Sequence, residues 1–168
     1  NNYVIPKFKS KDNLLSFFVM KTYMYTRNKE LLCRKCDYMK PITREMIDIW
    51  DMEKIDWMGY KISRQNPFTF HHAFIPARFG GKATINNGAI LCGQTSHPYI
   101  LVIEVWDEDR FDYLTSILKE INDQRRMPDL EQFKRMRSCL ESFEREYSGK
   151  RTRKGKVLIK EPFTKRIM

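Results

Sequence analysis

Apolar residues recur along this chain with a helical period in four stretches and collapse into two short runs between the second and third. From Ser10 to about Arg27, Leu14, Phe17, Phe18, Met24 and Tyr25 fall at spacings that build one buried helical face, with Ser10 placed to cap its start. A second helix is expected from Thr43, after Pro41, with Met46, Ile47, Ile49, Trp50 and Met52 on its apolar side. Gly59 and the Asn66-Pro67 pair then break the pattern. The runs Phe68 to His72 and Ala89 to Cys92 have strand length, and Gly80-Gly81 and Asn86-Asn87-Gly88 supply turn chemistry between them. The helical period returns afterwards. Ser96 is placed to cap a helix with Pro98 in its first turn, where a missing N–H costs little. Phe111, Leu114, Ile117, Leu118 and Ile121 define a further helix, and Leu130, Phe133, Met136, Leu140, Phe143 and Tyr147 another after Pro128. These stripes read as core, so the fold class expected is α+β, mainly helical, with a strand pair set among flanking helices.

At 168 residues the chain suffices for one domain with a real core. Residues 1–148 are expected to form it, and 149–168 a basic C-terminal tail that opens with the glycine-punctuated stretch GKRTRKGK and looks flexible. The 31 basic against 21 acidic residues give a net charge of +10, which points to a polyanionic partner, nucleic acid first and an anionic membrane surface second. No apolar run approaches the roughly 20 residues that span a bilayer, and NNYVIPKFKSKD lacks the apolar block of a signal peptide. A soluble, cytoplasmic protein is therefore expected. Lys150, Arg151, Arg153, Lys154 and Lys156 crowd five cations into seven positions, either as contacts to a nucleic-acid backbone or as a solubilising tail.

The chain's three histidines, His71, His72 and His97, all lie in FHHAFIPARFGGKATINNGAILCGQTSHPY. A strand ending in paired histidines, a glycine-broken loop, a second strand and a helix bearing another histidine would bring three imidazoles into one small space. Neutral imidazole binds divalent metals, and a histidine that is not a ligand accepts a proton from water near its ordinary pKa of about 6.5. A histidine pair alone is more often a hydrogen-bonded core or surface pair. The residues around it shift that balance.

His71-His72, Pro76, Gly80-Gly81, Asn87 and Leu91-Cys92 stand in the order and approximate spacing of the HNH, or ββα-metal, nuclease family, which the segment from His71 to His97 resembles. The resemblance implies a ββα-metal motif over about residues 68–106 and metal-dependent hydrolysis of DNA phosphodiester bonds. It makes His71 a metal ligand, His72 the general base that activates water, Asn87 the brace of the loop carrying that base, and His97 a second ligand on the helix. His97 falls one position beyond the family register after Asn87, where Ser96 stands; a one-residue bulge before the helix restores it. In the family's scheme one divalent ion, magnesium or manganese, contacts the scissile phosphate and the leaving oxygen. Some members place a further histidine four residues after the helix ligand, and Leu101 occupies that position here.

Many family members also hold a structural zinc with two CxxC pairs. Cys33-Cys36 supplies the first and Cys92 begins the second, but Thr95 stands where the fourth cysteine would be. Since structural zinc is normally four-coordinate and closed, the two readings are a metal-free degenerate site and a three-cysteine site. Cys139, on an apolar helical stripe, reads as a packed small hydrophobe. Arg78 and Lys82, flanking the glycine pair, are either phosphate contacts or solvated loop charges. Two other functions compete with the DNA endonuclease: a catalytically degenerate nucleic-acid-binding module that keeps the fold, and an RNA-directed nuclease. A double-strand cut by a single-site nuclease would need two copies, as in a homodimer, or two successive nicks.

Overall fold

Among the described residues the chain is an α+β protein of four helices and one two-stranded antiparallel sheet. The structure, a computed structural model, describes residues 42–52, 54–159 and 162–165. The helix expected from Ser10 and the Cys33-Cys36 pair lie outside them. Helix α1 covers residues 42–50, β1 Phe68–His72, β2 Gly88–Cys92, α2 Ser96–Trp106, α3 Glu108–Gln124 and α4 Leu130–Tyr147. No helix among the described residues is long and apolar enough to cross a membrane.

The two long C-terminal helices follow from their sequence in a direct way. In α3, Leu114, Ile117, Leu118 and Ile121 recur at helical spacing and are fully buried, each worth about 2 kcal/mol of transfer from water. Asp107 caps the helix by accepting the Arg110 N–H at 3.0 Å. In α4, Met136, Cys139, Leu140 and Phe143 face inward, and Asp129 and Gln132 close a reciprocal capping box of 2.8 and 3.0 Å. Cys139 is a packed core residue, as its stripe predicts. Leu130 is not in the core: as the first residue of α4 it precedes the core-facing turns and is 71% exposed. Ile49 is exposed too, because helical geometry turns it about 110° from the mean direction of Met46, Ile47 and Trp50. Those three residues bury α1, and the Trp50 indole donates to the Ile121 carbonyl at 3.1 Å, tying α1 to α3.

The strands pair from Phe68 opposite Cys92 to His72 opposite Gly88. All five residues of β2 are buried, since α2 and α3 pack on the strand and the segment from Ile55 to Lys61 runs along its outer edge. There the Trp57 N–H donates to the Ile90 carbonyl at 3.1 Å, so the edge is covered rather than left open to pairing. Helix α2 is apolar on nearly every side and is held centrally, with Ile100, Ile103 and Val105 buried. Its cap is Thr95 rather than Ser96, which is the first helical residue and is fully buried; Pro98 sits in the first turn as predicted.

The C-terminal segment departs from the flexible tail expected of it. Arg151 bridges Val157, with the Thr152 N–H donating to the Lys156 carbonyl at 2.8 Å around a turn at Gly155. Beyond it Phe163 is buried and stacks on Tyr99 at 4.8 Å, and Thr164 donates from backbone and hydroxyl to the buried Glu144 carboxylate. Phe163 and Glu144 explain the difference: an apolar plug, and a carboxylate that accepts from the Tyr99 hydroxyl at 2.9 Å as well as from Thr164, fasten the segment to α2 and α4.

Candidate active site

The histidines sit where β1, β2 and α2 meet. His71 is buried in β1, and its ring lies 4.8 Å from that of His97, centre to centre and edge to face. His97, not Ser96, therefore meets the histidine pair; Ser96 is turned inward beside the buried Asp56. His97 Nδ1 lies 3.0 Å from the Thr69 hydroxyl, which donates its proton to the Leu91 carbonyl at 2.8 Å. A hydroxyl has only one proton to give, so the Nδ1–H donates to Thr69 and the His97 Nε2 keeps its lone pair. This is the tautomer a metal ligand needs, oriented through its other nitrogen.

Burial, reinforced by the neighbouring His97 and His72, holds the His71 imidazole well below its ordinary pKa. Burial and His72 push His97 down to about 4. Both rings are thus neutral at pH 7, the form that carries a ligand lone pair. His71 Nε2 is buried with no hydrogen-bond partner. The other buried side-chain atoms in that condition, among the described residues, are indole N–H groups and hydroxyls, so His71 supplies the one imidazole nitrogen of the set. Two neutral imidazoles lie ring against ring here, and no group of three or more His, Cys, Asp or Glu side chains placed to hold a metal occurs among the described residues.

His72 ends β1 and is part-buried, its ring meeting Phe70 edge-on at 5.0 Å. Asn87, almost fully buried, braces the loop that follows. Its amide donates to the carbonyls of Ile75 and Lys82 at 2.9 and 3.0 Å, and its oxygen accepts the Ile75 N–H at 2.7 Å. Gly80 takes a left-handed conformation with φ 84°, and a Cβ on Gly81 would stand 1.7 Å from the Ile75 carbonyl oxygen. Arg78 is not a free loop charge: it pairs with Glu104 of α2. Lys82 is exposed.

No protein-family model, curated protein or solved structure matches the chain.

Cys92 is a fully buried thiol facing the carbonyls of Tyr60 and Lys61 at 3.8 and 3.7 Å. Burial and the adjacent Asp56 push its pKa far above the ordinary thiol value. Thr95 accepts from Asn66 Nδ2 at 2.9 Å, and Asn66 Oδ1 accepts the Gln94 N–H at 3.0 Å. Protein hydrogen bonds thus tie together the turn where a second zinc half-site would be. Of the five basic residues between Ser148 and Val157, Lys150 lies 4.1 Å over the Tyr147 ring, Arg151 donates to Gly155, and Arg153, Lys154 and Lys156 are exposed.

Sequence reading missed Thr69, Asp56 and Asn66. Thr69 was findable, because strand period places it on the same face as His71. Asp56 accepts from the backbone of Met58, Tyr60 and Cys92, 36 positions away, and no local pattern signals such a reach.

Proposed function

We propose that this chain is a metal-dependent endonuclease of the HNH type that hydrolyses DNA phosphodiester bonds. The observation that carries the proposal is the buried, unpartnered His71 Nε2 beside His97, whose hydrogen bond to Thr69 leaves its Nε2 lone pair available. His71 and His97 would hold one divalent ion, magnesium or manganese, which when bound supplies Lewis-acid stabilisation of charge developing on the phosphate and leaving oxygens. His72 takes the proton of the attacking water as general base. The bond from that water oxygen to phosphorus forms as the bond to the leaving oxygen breaks. Asn87 holds the loop beyond His72 in one arrangement. Lys82 and the basic hairpin of residues 150–156 contribute phosphate contacts, and these should weaken steeply with salt. Structural zinc is not part of the proposal, since the Cys92 thiol is already engaged with two carbonyls.

Supercoiled plasmid incubated with magnesium, manganese or chelator tests this. The parent should nick only with metal, and His72→Ala should be slower by about 10²- to 10⁴-fold with an unchanged melting temperature. Equal nicking by His72→Ala would reject the assignment. The two-nitrogen donor set favours a second reading, a nucleic-acid-binding module without turnover. Plasmid binding with no metal-dependent nicking would support that reading, and preferential cutting of single-stranded RNA run alongside would move the substrate from DNA to RNA.

A further inference from the structure

The loop between His72 and Asn87 presents two large apolar side chains to water, Ile75 at 54% and Phe79 at 67% exposure. Loose chain often exposes apolar groups, but this loop is fastened. The Pro76 carbonyl accepts the N–H groups of Phe79 and Gly81 at 2.9 and 3.2 Å, the Ala77 carbonyl accepts that of Gly80 at 3.1 Å, and Asn87 clamps both ends. The Gly81 backbone lies so close to Ile75 that no side chain fits between them. An aromatic ring two-thirds exposed on a braced backbone adds little to the fold, whereas the braced backbone lowers the entropy cost of presenting it to a partner.

A basic side chain and the charge of the whole chain point to a polyanion: Lys82 is exposed three residues on and the chain carries a net charge of +10, while the Arg78 guanidinium, 5.0 Å from the centre of the Phe79 ring, is paired with Glu104 and backs the ring. An apolar side chain beside cations is the chemistry by which proteins insert a wedge between stacked base pairs while holding the flanking phosphates. Resting on the nuclease reading above, we infer that Phe79 is a wedge that enters a base step of duplex DNA and, by unstacking it, sets the backbone against His72. Phe79 is then a positioning residue, and duplex DNA is its occupant.

The test uses the full chain carrying His72→Ala, so that DNA is bound but not cut, with short duplexes in which 2-aminopurine is moved through successive positions. Binding should raise the fluorescence, because 2-aminopurine brightens when unstacked. Adding Phe79→Ala should abolish the rise and weaken binding to intact duplex by about tenfold, within the range for loss of one stacking contact. Duplexes with a one-nucleotide gap, already unstacked, should lose less than about threefold. Phe79→Trp should restore the rise, and all variants should melt alike. Retained fluorescence and affinity in Phe79→Ala would overturn the wedge, as would equal losses on intact and gapped duplex. Concentration-dependent self-association that Phe79→Ala removes would assign the ring to a second copy of the chain and overturn it too. The nuclease reading has a separate readout: if the chain with His72 intact never nicks plasmid, that reading fails whether or not Phe79 unstacks bases.

Discussion

The α3–α4 pair and the hairpin with α2 are both buried, but they spend burial differently. In α3 and α4 the interior is mostly apolar, the caps are satisfied, the buried Asn122 donates to the carbonyls of Ile85 and Gly88 at 2.9 and 2.6 Å, and the one buried atom of the pair left without a partner, among the described residues, is the small Thr115 hydroxyl. The hairpin and α2 enclose two neutral imidazoles, one with a buried nitrogen left unpaired. A buried polar atom without a partner costs about 1–3 kcal/mol. The helices therefore carry stability, and the histidine site is held at a cost the helices offset.

Substitutions should separate the two regions, and the largest effect is expected at His71. His71→Leu replaces the unpaired imidazole with an apolar side chain, so urea denaturation should give a midpoint at or above the parent's while metal-dependent nicking falls by about 10²-fold or more. A large loss of stability would remove the contrast. Leu118→Ala, in the fully buried face of α3, should cost about 3 kcal/mol in the same denaturation and leave nicking at low temperature within a few fold.

Acid should also act on the histidine region first. His97 has a folded pKa of about 4 against about 6.5 unfolded, so the unfolded chain binds the extra proton between these values. The stability held in neutral His97 is complete above pH 6.5 and is lost as the pH falls towards 4, by on the order of 2–3 kcal/mol in chelator. The difference between parent and His97→Gln, measured in urea at pH 7 and pH 4.5, isolates this contribution; an identical pH dependence in both would refute it. The smallest effect is expected at the start of α4, where Asp129→Ala should cost about 1 kcal/mol without changing nicking.

Legibility in the sequence follows the range of the interactions. Strand boundaries at Phe68 and Cys92 are readable because turn residues bracket short runs, and α3 and α4 because their stripes repeat for several turns. Errors fall where direction decides: Ile49 and Leu130 are apolar residues of helical stretches, and only three-dimensional direction turns them outward. Ser96 has the chemistry of a cap, but the preceding turn puts Thr95 there. At the site, the meeting of His71 with His97 matches the spacing argument. Strand period puts Thr69 on the face of His71, but its contact with His97, the reach of the Asp56 carboxylate to Cys92 and the Asn66 bridge to Thr95 each join residues at least 28 positions apart, and no local pattern encodes those partners.

Whether His71 and His97 share one ion is open to direct spectroscopy. Pulsed EPR of the protein with one equivalent of Mn²⁺ should show couplings to two imidazole nitrogens, with His71→Ala and His97→Ala each removing one and His72→Ala removing neither. Couplings untouched by substitution at His71 and His97, or the spectrum of fully hydrated Mn²⁺ with the parent protein, would contradict a metal centre at this pair.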